Sequence, residues 1–222
     1  MVQVQRIYEV IMKSCEIKSQ VIAIMHGDCF TDVNYNSGKA RLDIYHCEKN
    51  YDLLLKKKEI LELINGVTVR ITEKVDNRKL KSGLVRRGYR LQTNFSRYFF
   101  KIQAFPFKYI AKQLVKPEAL AIMWQDDGTI CRRSKTGMFS TATLATDGWE
   151  LWKVQELRKA WNNAYGWCPA IMDYKCRGKF YIRLRLVANE AEKLTDIIHD
   201  LVVDSMKYKL MTFKTLASEN DV

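Results

Sequence analysis

The chain lacks any hydrophobic run that could cross a bilayer. Near its start the longest uninterrupted apolar stretch is Val21 to Met25, whereas a spanning helix needs about 20 residues. The first ten residues carry Arg6 and Glu9 and no apolar signal core. This predicts a soluble, intracellular protein that is not secreted by the usual route. Proline and glycine are scarce, at 3 and 10 residues, which excludes collagen-like and linker-dominated chains. The 6 cysteines, at 15, 29, 47, 131, 168 and 176, include no C-x-x-C pair. A zinc knuckle is therefore unsupported, and reduced thiols in a reducing compartment are expected. The 3 histidines, His26, His46 and His199, form neither a ligand spacing nor a triad with any serine or cysteine, and no phosphate-binding glycine loop is present.

What is present is a packed, basic chain. Its 222 residues are 47% apolar, enough for a real core and too much for wholesale disorder. Lysine and arginine exceed the acids by a net charge of +12. Such a surplus points to a polyanionic partner, with nucleic acid leading because counterion release from phosphates drives binding. Composition stops there, since ribosomal and otherwise merely basic proteins share it.

The order of elements occurs twice. A short apolar helix over 17–28 precedes strand-like runs at 30–35 and 40–47, joined by the turn signal Asn36-Ser37-Gly38-Lys39. A helix over 49–64 follows, with Leu53, Leu54, Ile60, Leu61 and Ile64 on one face. Strand-like runs at 66–74 and 83–93 and a helix over 95–105 complete the half. The second pass begins at Pro117, a favoured first helical residue. Helix 117–127 leads to strands 129–135 and 138–145, with Thr136-Gly137 between them. A helix capped by Thr146 or Asp147 runs to about Tyr165. Strands 169–175 and 179–186 flank Cys176-Arg177-Gly178, and a helix covers 188–203. Each half reads α-β-β-α-β-β-α. Two copies of about 100 residues make a duplicated domain rather than a solenoid, with halves 1–115 and 116–222 and a short join near 111–117.

The two short helices read Val21-Ile22-Ala23-Ile24-Met25-His26-Gly27-Asp28-Cys29 and Leu120-Ala121-Ile122-Met123-Trp124-Gln125-Asp126-Asp127-Gly128. Both are apolar, carry small residues and end in an acid. A helix C-terminus is already partly negative, so an acid there usually answers to a cation. Ala23, Gly27 and Ala121 would let the helices approach closely and bring Asp28 and Asp127 together. Two such carboxylates repel unless divalent cations sit between them, and oxygen ligands suit magnesium. Paired metals are a known arrangement for in-line phosphodiester hydrolysis.

These segments resemble the paired motifs of the LAGLIDADG homing endonucleases, in the single-chain, two-motif branch. The second copy, Ala119 to Gly128, is the more specific. The likeness continues through the basic and Thr-rich strands, the long helix and the terminal Tyr208-Lys209-Leu210. The first copy departs in having Cys29 where glycine is usual. The resemblance implies an α+β, pseudo-twofold homing-endonuclease fold, with two antiparallel sheets forming a DNA-binding saddle. It also implies that Asp28 and Asp127 are catalytic and hold Mg2+ or another divalent cation such as Mn2+. A lysine near the metals in each half is carried over to Lys108, in Phe107-Lys108-Tyr109, and to Lys209, with Gln103 and Lys207 as weaker candidates.

Strand alternation supplies a candidate reading face. Arg41, Asp43 and Tyr45 point away from Leu42 and Ile44; Thr68, Arg70 and Thr72 from Val67, Val69 and Ile71; Arg86, Arg90 and Gln92 from Tyr89 and Leu91. In the second half Tyr181, Arg183 and Arg185 alternate with Ile182, Leu184 and Leu186. Thr141 and Thr143 face outward, as do either Arg132 and Ser134 or Arg133 and Lys135. Arginine and glutamine can contact guanine and adenine edges in the major groove. Lys56-Lys57-Lys58 and Arg78 to Lys81 are expected to touch phosphates or only water. Trp149, Trp152 and Trp161 are expected in the core.

The expected protein is a monomeric, site-specific double-strand DNA endonuclease with a long asymmetric target. The family implies cuts across the minor groove that leave short 3′ overhangs. Its setting would be a microbial or phage-infected cytoplasm or an organelle, with no membrane partner. An RNA maturase acting on its own intron RNA, and a DNA-binding regulator of the same shape that has lost cleavage, are the alternatives.

Overall fold

The computed structural model describes residues 2–79, 85–132, 139–176 and 178–211. In the first half, helix α1 (Val2–His26) leads into strands β1 (Cys29–Asn34) and β2 (Lys39–Cys47), then helix α2 (Tyr51–Glu62), strands β3 (Val69–Lys79) and β4 (Val85–Thr93), and helices α3 (Arg97–Gln103) and α4 (Phe107–Leu114). The second half has helix α5 (Pro117–Asp127), strands β5 (Gly128–Arg132) and β6 (Phe139–Ala145), helix α6 (Leu151–Tyr165), strands β7 (Ala170–Cys176) and β8 (Lys179–Val187), and helix α7 (Ala188–Ile198). A 3₁₀ segment, Asp204–Lys209, follows.

The strands form two antiparallel four-stranded sheets, ordered β1-β2-β4-β3 and β5-β6-β8-β7. The duplicated α+β plan therefore holds, down to the strand order. The β1–β2 turn forms as its residues predict. Asn34 accepts the Ser37 N–H through its side chain, and Gly38 adopts φ +60°, a conformation glycine takes without a steric penalty.

The differences from expectation have local causes. Helix α1 is longer than 17–28 at its start and ends at His26, so Asp28 lies just beyond it. The segment 107–114, expected to lead into the join, is helix α4. Its buried Phe107, Ile110, Ala111 and Leu114 keep helical spacing right after Pro106. Helix α6 starts at Leu151, and neither Thr146 nor Asp147 caps it. Thr146 donates to the Ile182 carbonyl, and Asp147 pairs with Arg183. The turn Thr136-Gly137 lies outside the described residues.

Helices α1 and α5 pack against each other at the centre. Val21–Met25 and Ala119–Gln125 are buried without a break, the mark of helix segments enclosed on all sides. The inner faces of both sheets, through Leu42, Ile44, Leu91, Leu144, Leu184 and Leu186, join them in one continuous core.

Each half also grips the other through the helix between its two strand pairs. Asp52 of α2 accepts the Ser205 N–H at 3.0 Å and the Ser205 hydroxyl. Burial alone would raise the Asp52 carboxyl, but the bonds from Ser205 and Leu53 outweigh it and hold it below the usual range. In the other direction, Phe107 of α4 packs edge-on against Trp149 and Trp152 at 5.4 and 5.6 Å, and the Tyr165 hydroxyl donates to the Val115 carbonyl. Asp52→Ala removes one side of this grip and leaves the Ser205 donors without their acceptor. It is expected to cost about 1–3 kcal/mol in urea unfolding, and an unchanged midpoint would show that the clamp contributes nothing.

Candidate active site and nucleic-acid interface

Helices α1 and α5 pack together; Asp127 ends α5, and Asp28 follows two residues after the end of α1. Asp28 keeps an exposed surface, and Asp127 is half-buried. Desolvation raises the carboxyl pKa of both; for Asp127, where the charges of Asp28 and Asp126 add to it, the value reaches about 7. Lys57 and Lys209 are the cations that lower both acids. The Asp28 charge thus acts on Asp127, while the acid whose charge acts on Asp28 is Asp126. Two carboxylates strained in this way form an oxygen donor set that suits Mg2+ or Mn2+.

Lys209 reaches this point through an ordered strap. The Trp124 indole N–H donates to the Lys209 carbonyl at 2.9 Å, and the Val203 N–H donates to Gln125 Oε1 at 2.9 Å. Lys209 Nζ then donates to the carbonyls of Gln125 and Asp126 at 2.6 and 2.9 Å. An ammonium on the last carbonyls of α5 offsets the negative helix end, so the chain itself supplies part of the cation that the acidic terminus calls for. Lys108 is not placed likewise. It lies exposed on α4 and is not among the charges felt by either acid. Gln103 is exposed, and Lys207 pairs with Asp204 at 2.6 Å.

A second cluster adjoins the acids. The Asp126 side chain is fully buried, as is Lys57, whose Nζ lies 2.6 Å from Asp126 Oδ1 and 3.0 Å from His46 Nε2. Asp126 Oδ2 accepts the Asp28 backbone N–H at 3.3 Å. Desolvation and the Lys57 charge hold His46 neutral, with its pKa lowered to about 4. With Nε2 accepting from Lys57, the ring proton belongs on Nδ1. The expectation that Lys57 meets phosphate or water is therefore corrected. Only its neighbours are exposed, with Lys56 near Glu59 and Lys58 near Glu62. Lys57 lies three or four residues from Leu53, Leu54, Ile60 and Leu61, in the middle of the apolar face of α2, and that spacing was the available signal. Arg78 to Lys81 carry no described side chains.

Burial alternates along β2, and along β8 from Arg183 to Val187. Arg41 is half-buried between buried Ala40 and Leu42, and pairs with Asp32 at 2.9 Å while lying over Phe95. In the register of the first sheet Arg70 stands beside Gln92 and Gln92 beside Asp43, with Arg90 between Tyr45 and Thr72. Arg90 donates to both oxygens of Asp43, and the Gln92 amide lies 3.5 Å from the same carboxylate. In the second sheet Thr143 is opposite Arg185 and Ala145 opposite Arg183, with Thr141 on the same face of β6. Arg183 pairs with Asp147 at 2.8 Å and lies over Tyr174, while Arg185 and Arg70 are exposed. Arg86 and Arg132 lie in β4 and β5, and their side chains are outside the described residues, as are Arg133, Ser134 and Lys135. Pairs such as Arg41–Asp32 and Arg183–Asp147 are worth little in water, so a phosphate or base edge can draw the guanidinium away at small cost.

Of the tryptophans, Trp161 is fully buried, Trp149 is half-buried and Trp152 is half exposed over Phe107. His26 packs edge-on to Phe107 and Trp149, and burial followed by the Lys153 charge lowers its pKa to about 4.

Asp127 binds its proton more tightly in the folded chain than in the unfolded one, where the carboxyl has its ordinary value of 3.8. The ion-free protein is therefore expected to lose stability as pH rises from about 4 through about 7 and to level off above. Added Mg2+ should raise Tm more at pH 8 than at pH 6, because below about 7 the ion must displace a proton. Equal Mg2+ shifts at both pH values would remove Asp127 from the ion site.

The two sheets astride paired helices define a homing-endonuclease fold. The chain is similar to the homing endonuclease I-WcaI bound to its DNA recognition sequence, with a TM-score of 0.69 and 17% identity over 88% of this chain and 86% of that one. It is also similar to mesophilic variants of the homing endonuclease I-DmoI, with a TM-score of 0.53 and 14% identity over 85% of this chain and 97% of that one. No curated protein matches the chain. Residues 19–194 match the LAGLIDADG DNA endonuclease family, and the chain belongs to that family. No described helix is long and apolar enough to cross a membrane.

Proposed function

We propose that the chain is a monomeric, site-specific double-strand DNA endonuclease that hydrolyses one phosphodiester in each strand. The observation that carries this reading is that the Asp28 charge acts on Asp127 at the end of α5, where Lys209 donates to the Asp126 carbonyl. Divalent ions bound there supply Lewis acidity toward the phosphoryl oxygens and a hydrolytic nucleophile from water. Asp28 and Asp127 hold the ions, one carboxylate serving each strand. Lys209 adds positive charge where negative charge grows on the phosphoryl group. The outward faces of the two sheets, through Arg41, Arg70, Arg90 and Gln92 in one half and Thr141, Arg183 and Arg185 in the other, line the groove. Because the two faces differ in sequence, the two half-sites they read differ too, and the target is long and asymmetric. The likeness to I-WcaI on its recognition sequence, and to an I-DmoI variant with its target DNA in the presence of Mg, supports this reading.

The test is incubation with the DNA that flanks the gene, joined without the insertion. A magnesium-dependent double-strand cut is expected. The absence of a cut there and at every site of a randomised duplex library would overturn the proposal.

A further inference from the structure

Asp28, His46 and Asp126 each offer a ligand atom within 4.8 Å of the others. Two carboxylates and an imidazole are a donor set for a borderline divalent metal such as Co2+ or Zn2+. Yet the Lys57 ammonium already stands among them, 2.6 Å from Asp126 Oδ1 and 3.0 Å from His46 Nε2, with the side chains of Lys57 and Asp126 fully enclosed. A second cation in the same few ångströms would meet strong repulsion in a medium that screens poorly. Packing does not demand the arrangement. A buried ion pair is often no better for stability than apolar residues of the same volume, and α2 is apolar on either side of Lys57.

We propose that Lys57 is a tethered cation that keeps Asp126 and His46 off the divalent ions and leaves Asp28 and Asp127 as the acids open to them. The inference rests on the reading that ions bind at those two aspartates. Lys57 and Asp126 are positioning residues. Lys57 comes from the first half and Asp126 from the second, and Asp126 uses its other oxygen to hold the Asp28 backbone N–H. The lock is one-sided, because the position equivalent to Asp126 in the first motif is Gly27, whose bare backbone makes room for the Asp126 carboxylate. Without Lys57, Asp28, His46 and Asp126 become a three-ligand site.

The experiment is Co2+ titration of the full chain by calorimetry and visible absorption. Lys57→Met is expected to gain one equivalent, bound at least tenfold more tightly than any in the parent protein and absorbing as a nitrogen-ligated ion. Adding His46→Ala should remove it. In the Lys57-containing chain, His46→Ala alone should leave the stoichiometry unchanged. Parent stoichiometry in folded Lys57→Met, or loss of an equivalent on His46→Ala alone, overturns the proposal; the second arm decides even where Lys57→Met does not fold. Failure of the underlying reading looks different: Asp28→Asn and Asp127→Asn would then leave Co2+ binding by the parent chain unaltered.

Discussion

Asp127→Asn is expected to abolish double-strand cleavage and at the same time to stabilise the ion-free protein. The amide keeps the shape of the carboxylate and removes its charge. With one acid lost, hydrolysis of the strand it serves should fall about 10²-fold or more, the scale seen when one group aimed at developing charge is removed. DNA binding should persist, because the sheet faces are untouched. The second effect follows from the raised pKa of Asp127, which desolvation and the charges of Asp28 and Asp126 push to about 7. Above that pH the native protein carries the cost of ionising this group, and asparagine does not. Tm of the ion-free variant should therefore exceed that of the parent at pH 8, with the gap closing toward pH 4. Asp28→Asn should act alike on cleavage. Cleavage by either variant at the parent rate would remove that acid from the mechanism. A lower Tm for Asp127→Asn at pH 8 would show that its charge is not strained.

Gly27→Ala should destabilise the fold by about 3 kcal/mol or more, far beyond the ordinary cost of a surface substitution. A methyl at this position would lie 2.1 Å from Asp126 Oδ2 and 2.9 Å from its Cγ. Carboxylates on a surface swing away, but Asp126 is enclosed and held by Lys57 and by the Asp28 N–H. Displacing it leaves the Lys57 ammonium buried without its counter-charge. The cost should shrink in a background that already carries Lys57→Met and Asp126→Ala, since the two changes share one mechanism. Urea unfolding of the four proteins measures that coupling. Additive effects would mean that the glycine matters for some reason other than room for Asp126.

Much of this was legible in the chain. The order of elements, the duplicated plan and the two acids follow from apolar periodicity and from two similar segments about 100 residues apart. Placing the join near 111–117 passes over helix α4, although Phe107, Ile110, Ala111 and Leu114 keep helical spacing. The anomaly of Lys57, a charge on the apolar face of α2, was legible as well. Local spacing could not say what neutralises that charge, because its partner Asp126 lies in the other half, 69 residues on.

Residue order by itself determined the order of strands and of most helices, the alternation along β2, and the presence of two acids at equivalent places. Those features depend on neighbours within a few positions. Tertiary structure alone decided which charges meet. It seated Lys209 on the end of α5, left Lys108 in solvent and drew Lys57 of α2 to Asp126 of α5. Ion pairing depends on distance and desolvation, and both arise only when remote segments pack together.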